Sequence, residues 1–581
     1  MAGILVALVI ALPWLGALAV WLAGNKHPAL QHTLAVEFSV LTAVTSLALF
    51  LFPSATPAIQ IPLGKAFGEL TFVPDGLAVS LTAIAAVIGS LAVIFSVDYM
   101  HSDKQLGRYY FLVLFFIGAM TGLVLSGNLL ITFFFWEITA LCSYGLISFY
   151  SDDPKAVAGG IKALIITQVG GVGLLAGTLI AFVNLGSLQI ADILDMAAIL
   201  PTAPLAAIAF SFLVAAAAKS AQFPFHTWLP DAMEAPTPVS ALIHAATMVN
   251  AGIYLLARFY PAFEFVPGWA TAVLFIGMVS ALIAAISALI ATDLKRTLAY
   301  STVSQLGYMV YAIGAGGVFA SQFHLLSHAV FKALLFLAAG AVIHSVGTRD
   351  MRRMGALGHK MRFVRAVFIV GALALAGVPF LNGYWSKELI LEVGIEHAPG
   401  WTYALMLTGV GLTAFYTFRM VWLVFFGKAR EYLPVHSAGS AMRVSLGILA
   451  GSTFVTWLFF GGLNELFLST LPFHELEHET LLELVTSILS ARATWFALVI
   501  VALGFVVSWI RARGFILFGG SWLNPLVDSS FGFESLNGLI VRGTNKFAQQ
   551  LSLTQTGELN WNILGIISAL LVVLVILWLG A

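Results

Sequence analysis

Apolar runs of about 20 residues, separated by short polar turns, recur along the whole chain, and each is long enough to cross a hydrocarbon core about 30 Å thick. The runs are continuous rather than alternating, so they predict helices and argue against a membrane β-barrel. By length they predict about 16 spans, near residues 2–24, 31–51, 75–98, 109–126, 128–150, 160–184, 204–222, 237–259, 270–290, 294–314, 321–346, 362–378, 402–427, 442–466, 490–511 and 562–580. Segments 223–235 and 383–395 read as the second halves of a broken seventh and a broken twelfth helix. The fold class expected is an all-α polytopic membrane protein.

Composition agrees with this pattern. Of the 581 residues, 60% are hydrophobic and 9% charged, against about 25% charged in soluble domains. Cys142 is the single cysteine, which excludes a disulfide framework and any cysteine-ligated cluster built from this chain. The first run has no basic segment before it and is too long for a signal-peptide core, so it reads as a retained span. Of 27 Lys and Arg, three (Lys65, Arg258, Arg492) fall in loops on the side of the termini, four (Lys219, Lys332, Lys387, Arg419) fall within spans, and the other twenty fall in loops on the opposite side. That asymmetry places both termini outward, away from the cytoplasm. No basic tract supports nucleic-acid binding.

A charge at the bilayer centre costs about 2.5–3.5 kcal/mol on insertion scales and normally faces a protein interior or a wet cavity. The chain places Glu137, Lys219, His244, His324, His328, Lys332, Lys387 and Glu388 within apolar surroundings. His324, His328 and Lys332 recur at i, i+4 and i+8, so they share one helix face. A polar stripe of this kind is what a hydrated proton path needs. Glu137 and Lys219 suit an ion pair whose making and breaking changes the charge state of the amine. Blander roles fit other residues. His244 and His344 are equally compatible with a histidine bonding a carbonyl, and Arg419 with a snorkelling side chain. Trp136, Phe223 and Phe225 suit packing, and Asp231 and Glu234 suit interfacial caps. No Cys or carboxylate completes a metal-ligand set with the histidines.

The prolines fall beside the charges. Pro224 and Pro230 interrupt the seventh helix just after Lys219. Pro379, with Gly377 and Gly383, interrupts the twelfth just before Lys387 and Glu388. Broken membrane helices are tolerated where they line a cavity, and two of them five spans apart predict an internal repeat. Spans four to eight and nine to thirteen form the units, and an odd number of spans per unit makes them inverted. The predicted division is N-terminal helices (1–105), a first repeat (106–262), a second repeat (263–430), further helices (431–511), a cytoplasmic-side lateral segment (512–561) and a last helix (562–581).

The stretch KSAQFPFHTWLPDAMEAPTPVSALIHAATMVNAGIYLLAR closely resembles the core of the antiporter-like subunits of respiratory complex I and of Mrp-type cation/proton antiporters, a superfamily that also includes membrane-bound hydrogenases. FFFWEITALCSYGLI, DLKRTLAYSTVSQLGYM, FHLLSHAVFKALLFLAAGAVIH, GVPFLNGYWSKELI and FYTFRMVWLVFFG match in order, over about residues 75–430. WEITALCSY, FKALLFL, YTFRM and QTGELNW are most similar to the large distal subunit. The resemblance implies a proton path through Glu137, Lys219, His244, His324, His328 and Lys332, leaving by Lys387 and Glu388. Many relatives have Asp in place of Glu388. Respiratory relatives often have Arg and Asp near Gln168 and Gly171, and there this chain resembles Mrp-type and hydrogenase-type relatives. The large subunit often carries a long lateral helix; Gly519, Gly520 and Pro525 predict that any such helix here is short or broken.

The function expected is ion translocation, H⁺ or alternatively Na⁺, in a complex I-like redox-driven pump of the prokaryotic inner membrane. The rivals are a subunit of an Mrp-type Na⁺/H⁺ antiporter, a subunit of a hydrogenase- or formate-linked complex, and a purely structural subunit. No cofactor is expected on this chain. The resemblance implies Fe–S clusters, flavin or quinone on peripheral redox partners, with antiporter-like paralogues as membrane partners.

Overall fold

The computed structural model describes the chain except residues 65–67, 432, 434, 514–524, 527–528, 553–567, 569–570 and 572–581. The span expected at 562–580 lies outside the described residues, save for two positions. Among the described residues, thirteen helices are long and apolar enough to cross a membrane.

The chain begins with α1 (Ala2–Ala23) and α2 (Pro28–Ala48), the latter continued by a 3₁₀ turn to Leu51. An antiparallel hairpin follows, β1 (Ile59–Gly64) and β2 (Gly68–Phe72), with Ile59 opposite Phe72 and Ile61 opposite Leu70. Among the described residues, this hairpin is where the structure departs from the all-α expectation. The hairpin docks on the start of the fifth span, where Gly127 N donates to Thr71 O at 2.9 Å and Val73 N to Leu125 O at 2.7 Å.

The helices α3 (Gly76–Tyr99), α4 (Leu106–Leu125), α5 (Leu129–Ile147), α6 (Pro154–Leu185), the short α7 (Ile190–Met196) and α8 (Thr202–Lys219) come next. A single turn α9 (Trp228–Asp231) precedes α10 (Thr237–Ala241) and α11 (Met248–Phe263), which a π-helical turn Leu242–Ala246 joins into one span. Then follow α12 (Trp269–Ile290), α13 (Leu294–Gly314), α14 (Val318–Val346), α15 (Arg362–Ala376), α16 (Asn382–His397), α17 (Gly400–Val421), α18 (Ser440–Val455), α19 (Phe460–Thr470), α20 (Leu481–Ser490) and α21 (Arg492–Ala512).

Local chemistry explains the boundaries. Asp75, Asn128, Asp153 and Asp293 are N-caps that accept backbone N–H bonds from the first turns of α3, α5, α6 and α13, satisfying donors the helix leaves open. Burial sorts the helices. The α10–α11 span, α13 and α14 are enclosed, whereas α1, α2, α6 and α21 present leucines, valines and isoleucines outward. α13 carries Lys295, Ser301, Thr302, Ser304 and Gln305 in a span-length helix, and all five are buried. It packs so closely on α12 that a Cβ on Gly277 would lie 2.3 Å from Tyr311 N, a small-residue contact typical of membrane helices.

Residues from Gly519 onward form a second compact unit. Its described residues include α22 (Phe533–Ser552), a 20-residue helix with no buried residue. Leu536, Ile540, Phe547 and Leu551 share one face of it. Gly519 and Gly520 of the expected lateral segment lie outside the described residues, and Pro525 precedes this helix.

Candidate ion-translocation site

Two interrupted helices flank the site. α8 stops at Lys219, where Ala221 adopts a left-handed φ of 50° and the Phe223–Pro224 peptide is cis. The freed backbone groups find side-chain partners. Trp228 Nε1 donates to Ala218 O at 3.0 Å, and Phe223 N donates to Ser280 Oγ at 2.8 Å. The expected second half of this span is only the turn α9 followed by a 3₁₀ turn, Ala232–Glu234, because Pro230 and Pro236 leave little room for a regular helix.

Lys219 is fully buried. Its Nζ donates to Trp136 O at 2.8 Å and lies 4.7 Å from the centre of the Trp136 ring. Glu137 is turned the other way, toward α6. Its Oε2 accepts from Gln168 Nε2 at 2.5 Å, and its buried Oε1 meets no donor among the described residues. Gly171 permits this, since a Cβ there would stand 2.2 Å from Oε1. Glu137 and Lys219 thus lie in adjoining helices, and among the described residues no ion pair joins them.

The middle of the file is α14 with the elements around it. His244 sits in the π-helical turn, fully buried, stacked on Phe336 at 5.1 Å, and among the described residues neither ring nitrogen is bonded. Lys332 Nζ donates to Ser301 Oγ and, at 3.3 Å, to Leu298 O. Among the described residues, the His328 ring nitrogens have no partner. His324 pairs with Ser386 Oγ at 2.9 Å and Gln305 Oε1 at 3.2 Å, and its ring centre is 6.5 Å from that of His328. The i, i+4, i+8 spacing puts these three on one face of α14, and all three are buried.

The second break begins at Gly377, whose φ of 81° ends α15. In a continuous helix Leu375 O would accept from residue 379, but Pro379 has no N–H. Lys387 Nζ fills that place at 2.8 Å. Glu388 is 7% exposed beside it. The bond makes a test possible. Lys387→Met strips Leu375 O of its donor, an expected cost of about 1–3 kcal/mol. With Pro379→Ala supplying an N–H, the same change is expected to cost less, giving a coupling of about 1 kcal/mol in a double-mutant cycle. Equal costs in both backgrounds, read by thermal unfolding in detergent, would remove the proline-lysine account.

Several participants escape a reading based on charge and spacing. Gln168, Ser301, Gln305 and Ser386 are neutral, and only their contacts reveal them. Lys295 is assigned by the sequence to a loop, yet it is 2% exposed and donates to Ala235 O at 2.6 Å. Asp231 and Glu234 act as ion-pair partners: Lys162 and Arg296 reach Asp231 at 2.7 Å each, and Arg349 reaches Glu234 at 2.9 Å and Asp293 at 3.2 Å. His344 is exposed at the end of α14 against Tyr99. Arg419 donates to Ala291 O at 2.9 Å, a structural contact. Among the described residues, no group of three His, Cys, Asp or Glu is placed to hold a metal.

The class this defines is a polytopic helical membrane protein with a buried file of ionisable side chains between two discontinuous helices. Residues 126–413 match the family model "NADH:quinone oxidoreductase/Mrp antiporter, TM", and residues 61–110 match "NADH-Ubiquinone oxidoreductase (complex I), chain 5 N-terminus". The chain belongs to this complex I/Mrp antiporter family, as an antiporter-like subunit of the chain 5 type. It is 42% identical over 382 residues to NAD(P)H-quinone oxidoreductase chain 5 of Picosynechococcus sp., covering 62% of this chain and 57% of that one. It is 38% identical over 417 residues to Na(+)/H(+) antiporter subunit A1 of Staphylococcus aureus, covering 67% and 52%. The chain thus spans little more than half the length of these two relatives. Among solved structures, the Mrp complex from Dietzia sp. DQ12-45-1b superposes with a TM-score of 0.85 at 27% identity, over 99% of this chain and 63% of that one.

Proposed function

We propose that this chain is the proton-translocating subunit of a complex I-like, redox-driven pump of the NADH:quinone oxidoreductase type. The observation that carries the proposal is the buried file itself. Lys219, Lys332 and Lys387 lie sheltered from solvent and lipid, yet each amine faces a carbonyl or hydroxyl rather than a carboxylate. Buried ionisable groups without ion-pair partners are expensive to keep in a membrane and are a functional hypothesis by default. In our reading protons enter from the cytoplasmic side near Lys219 or His244, pass Lys332, His328 and His324, and leave outward past Lys387 and Glu388. The histidines with unbonded nitrogens are suited to water-mediated relay. The separation of Glu137 from Lys219 supports a switch in which a neighbouring subunit brings that pair together and apart. Sixteen spans, two inverted five-helix repeats and outward-facing termini complete the reading. It is supported by the two breaks, each beside a lysine, and by the distribution of basic loops.

Moving one charge against 100 mV needs about 2.3 kcal/mol, so the energy comes from partners. We assign Fe–S, flavin or quinone chemistry to them. A second reading, an Mrp-type Na⁺/H⁺ antiporter, is favoured by the Dietzia superposition and by Gln168 and Gly171. Reconstitution separates the two. The native assembly in proteoliposomes is expected to acidify or alkalinise the lumen only when an electron donor and acceptor are supplied. Exchange driven by a Na⁺ gradient alone would decide for the antiporter.

A further inference from the structure

The second span carries an acid that the translocation file does not use. Glu37 lies nine residues inside α2, about 14 Å from its N-terminal end and farther from Leu51, at a rise of about 1.5 Å per residue. Its side chain is exposed, and among the described residues no hydrogen bond or ion pair engages it. Beyond Thr33, one turn before it, the face continues apolar, with Leu41 51% and Val44 59% exposed one and two turns on. The polar residues Gln31, Ser39, Thr42 and Ser46 lie on the opposite, buried side. Glu465, another exposed acid in a spanning helix, sits only five residues from that helix's end, where a carboxylate reaches the interface. Glu37 has no such escape.

We propose that this face of α2 is an interface with a membrane-spanning helix of another subunit, and that this helix presents a lysine or arginine to Glu37. A lone carboxylate facing lipid at this depth is disfavoured, and such groups in membrane helices pair with a partner. A cation at the same depth removes that penalty, and the leucine and valine flanking Glu37 supply the packing surface. The occupant is a protein helix because a lipid headgroup does not reach one-third of the way into the span. The inference rests on the reading of this chain as part of a multisubunit membrane assembly.

A photo-crosslinking amino acid at Thr33 or Leu41, one turn to either side, tests it with Glu37 intact, in the assembly within native membranes. The expected adduct, mapped by mass spectrometry, lies on a spanning helix of another subunit that contains a basic residue. Adducts only with lipid, with residues 553–581 of this chain, or with a helix that has no Lys or Arg would overturn the proposal. Glu37→Gln supplies a second arm. Retention of the partner subunit after detergent extraction should fall about tenfold while the helical content of this chain is unchanged, and Glu37→Lys with the partner's cation changed to Glu should restore it. Unchanged retention in Glu37→Gln would also sink the idea. A chain that purifies alone from native membranes would instead refute the assembly reading, so the two failures are distinguishable.

Discussion

Lys332→Met is expected to reduce ion translocation by at least about tenfold while leaving the fold intact. The methionine keeps the length of the side chain and removes its titratable group. The loss to packing is small because the partners of Lys332 are already satisfied: Ser301 Oγ donates to Leu298 O at 2.8 Å, and Thr302 Oγ1 donates to the same carbonyl at 3.0 Å. No carboxylate is left unpaired by the change. Lys332→Arg sharpens the result. A guanidinium stays protonated in proteins, so if the residue must release and regain a proton, Arg should fail as completely as Met. If Arg sustains transport, the role is electrostatic and the relay through this position is wrong. Proton flux in proteoliposomes, with unfolding temperature as the control, separates these outcomes.

The features legible in the sequence are those set by length and by single residues with strong backbone effects. A hydrocarbon slab demands a minimum run of apolar residues, so the spans are visible. Pro224, Pro230 and Pro379 remove N–H donors, so both breaks are visible. The stripe His324–His328–Lys332 is visible because helical periodicity alone places it on one face. What escapes depends on contacts between distant segments. The π-helical turn that carries His244 has no sequence mark, since it arises from one extra residue in a helix whose composition is unchanged. The β1–β2 hairpin is too short and too mixed to stand out from a loop. Sorting basic residues by loop predicts an orientation but misplaces Lys295 and Arg258, because the ends of a helix can be buried by its neighbours. Glu37 escapes for a related reason: one acid in an apolar run has no spacing partner within the chain. The missing Glu137–Lys219 contact is of the same kind. The chemistry of the two residues is readable, but the rotamer that turns Glu137 to Gln168 is not.

Arg258 shows what a structural charge looks like beside the ionisable groups of the file. It is 7% exposed, and its guanidinium grips both oxygens of Asp75, Nη1 to Oδ2 at 2.5 Å and Nη2 to Oδ1 at 2.8 Å, while Nε donates to Tyr254 Oη at 3.2 Å. Asp75 also caps α3 through Ala78 N at 3.0 Å. The pair is saturated and bidentate, so it ties α3 to α11 and leaves no site for a travelling proton. Asp75→Asn keeps a side-chain oxygen for the cap but strands a buried cation, and is expected to cost about 3–5 kcal/mol. Asp75→Asn with Arg258→Met removes both charges and should recover most of that loss, since an apolar replacement of a buried pair is often neutral. The double variant is also expected to translocate ions, which no variant of Lys332 should do. An Asp75→Asn assembly that unfolds at the wild-type temperature would show that the pair carries no load in the frame. A stable but inactive double variant would move Arg258 from the frame into the proposed path, and would overturn the proposed division between paired charges that hold this bundle and lone amines that relay protons.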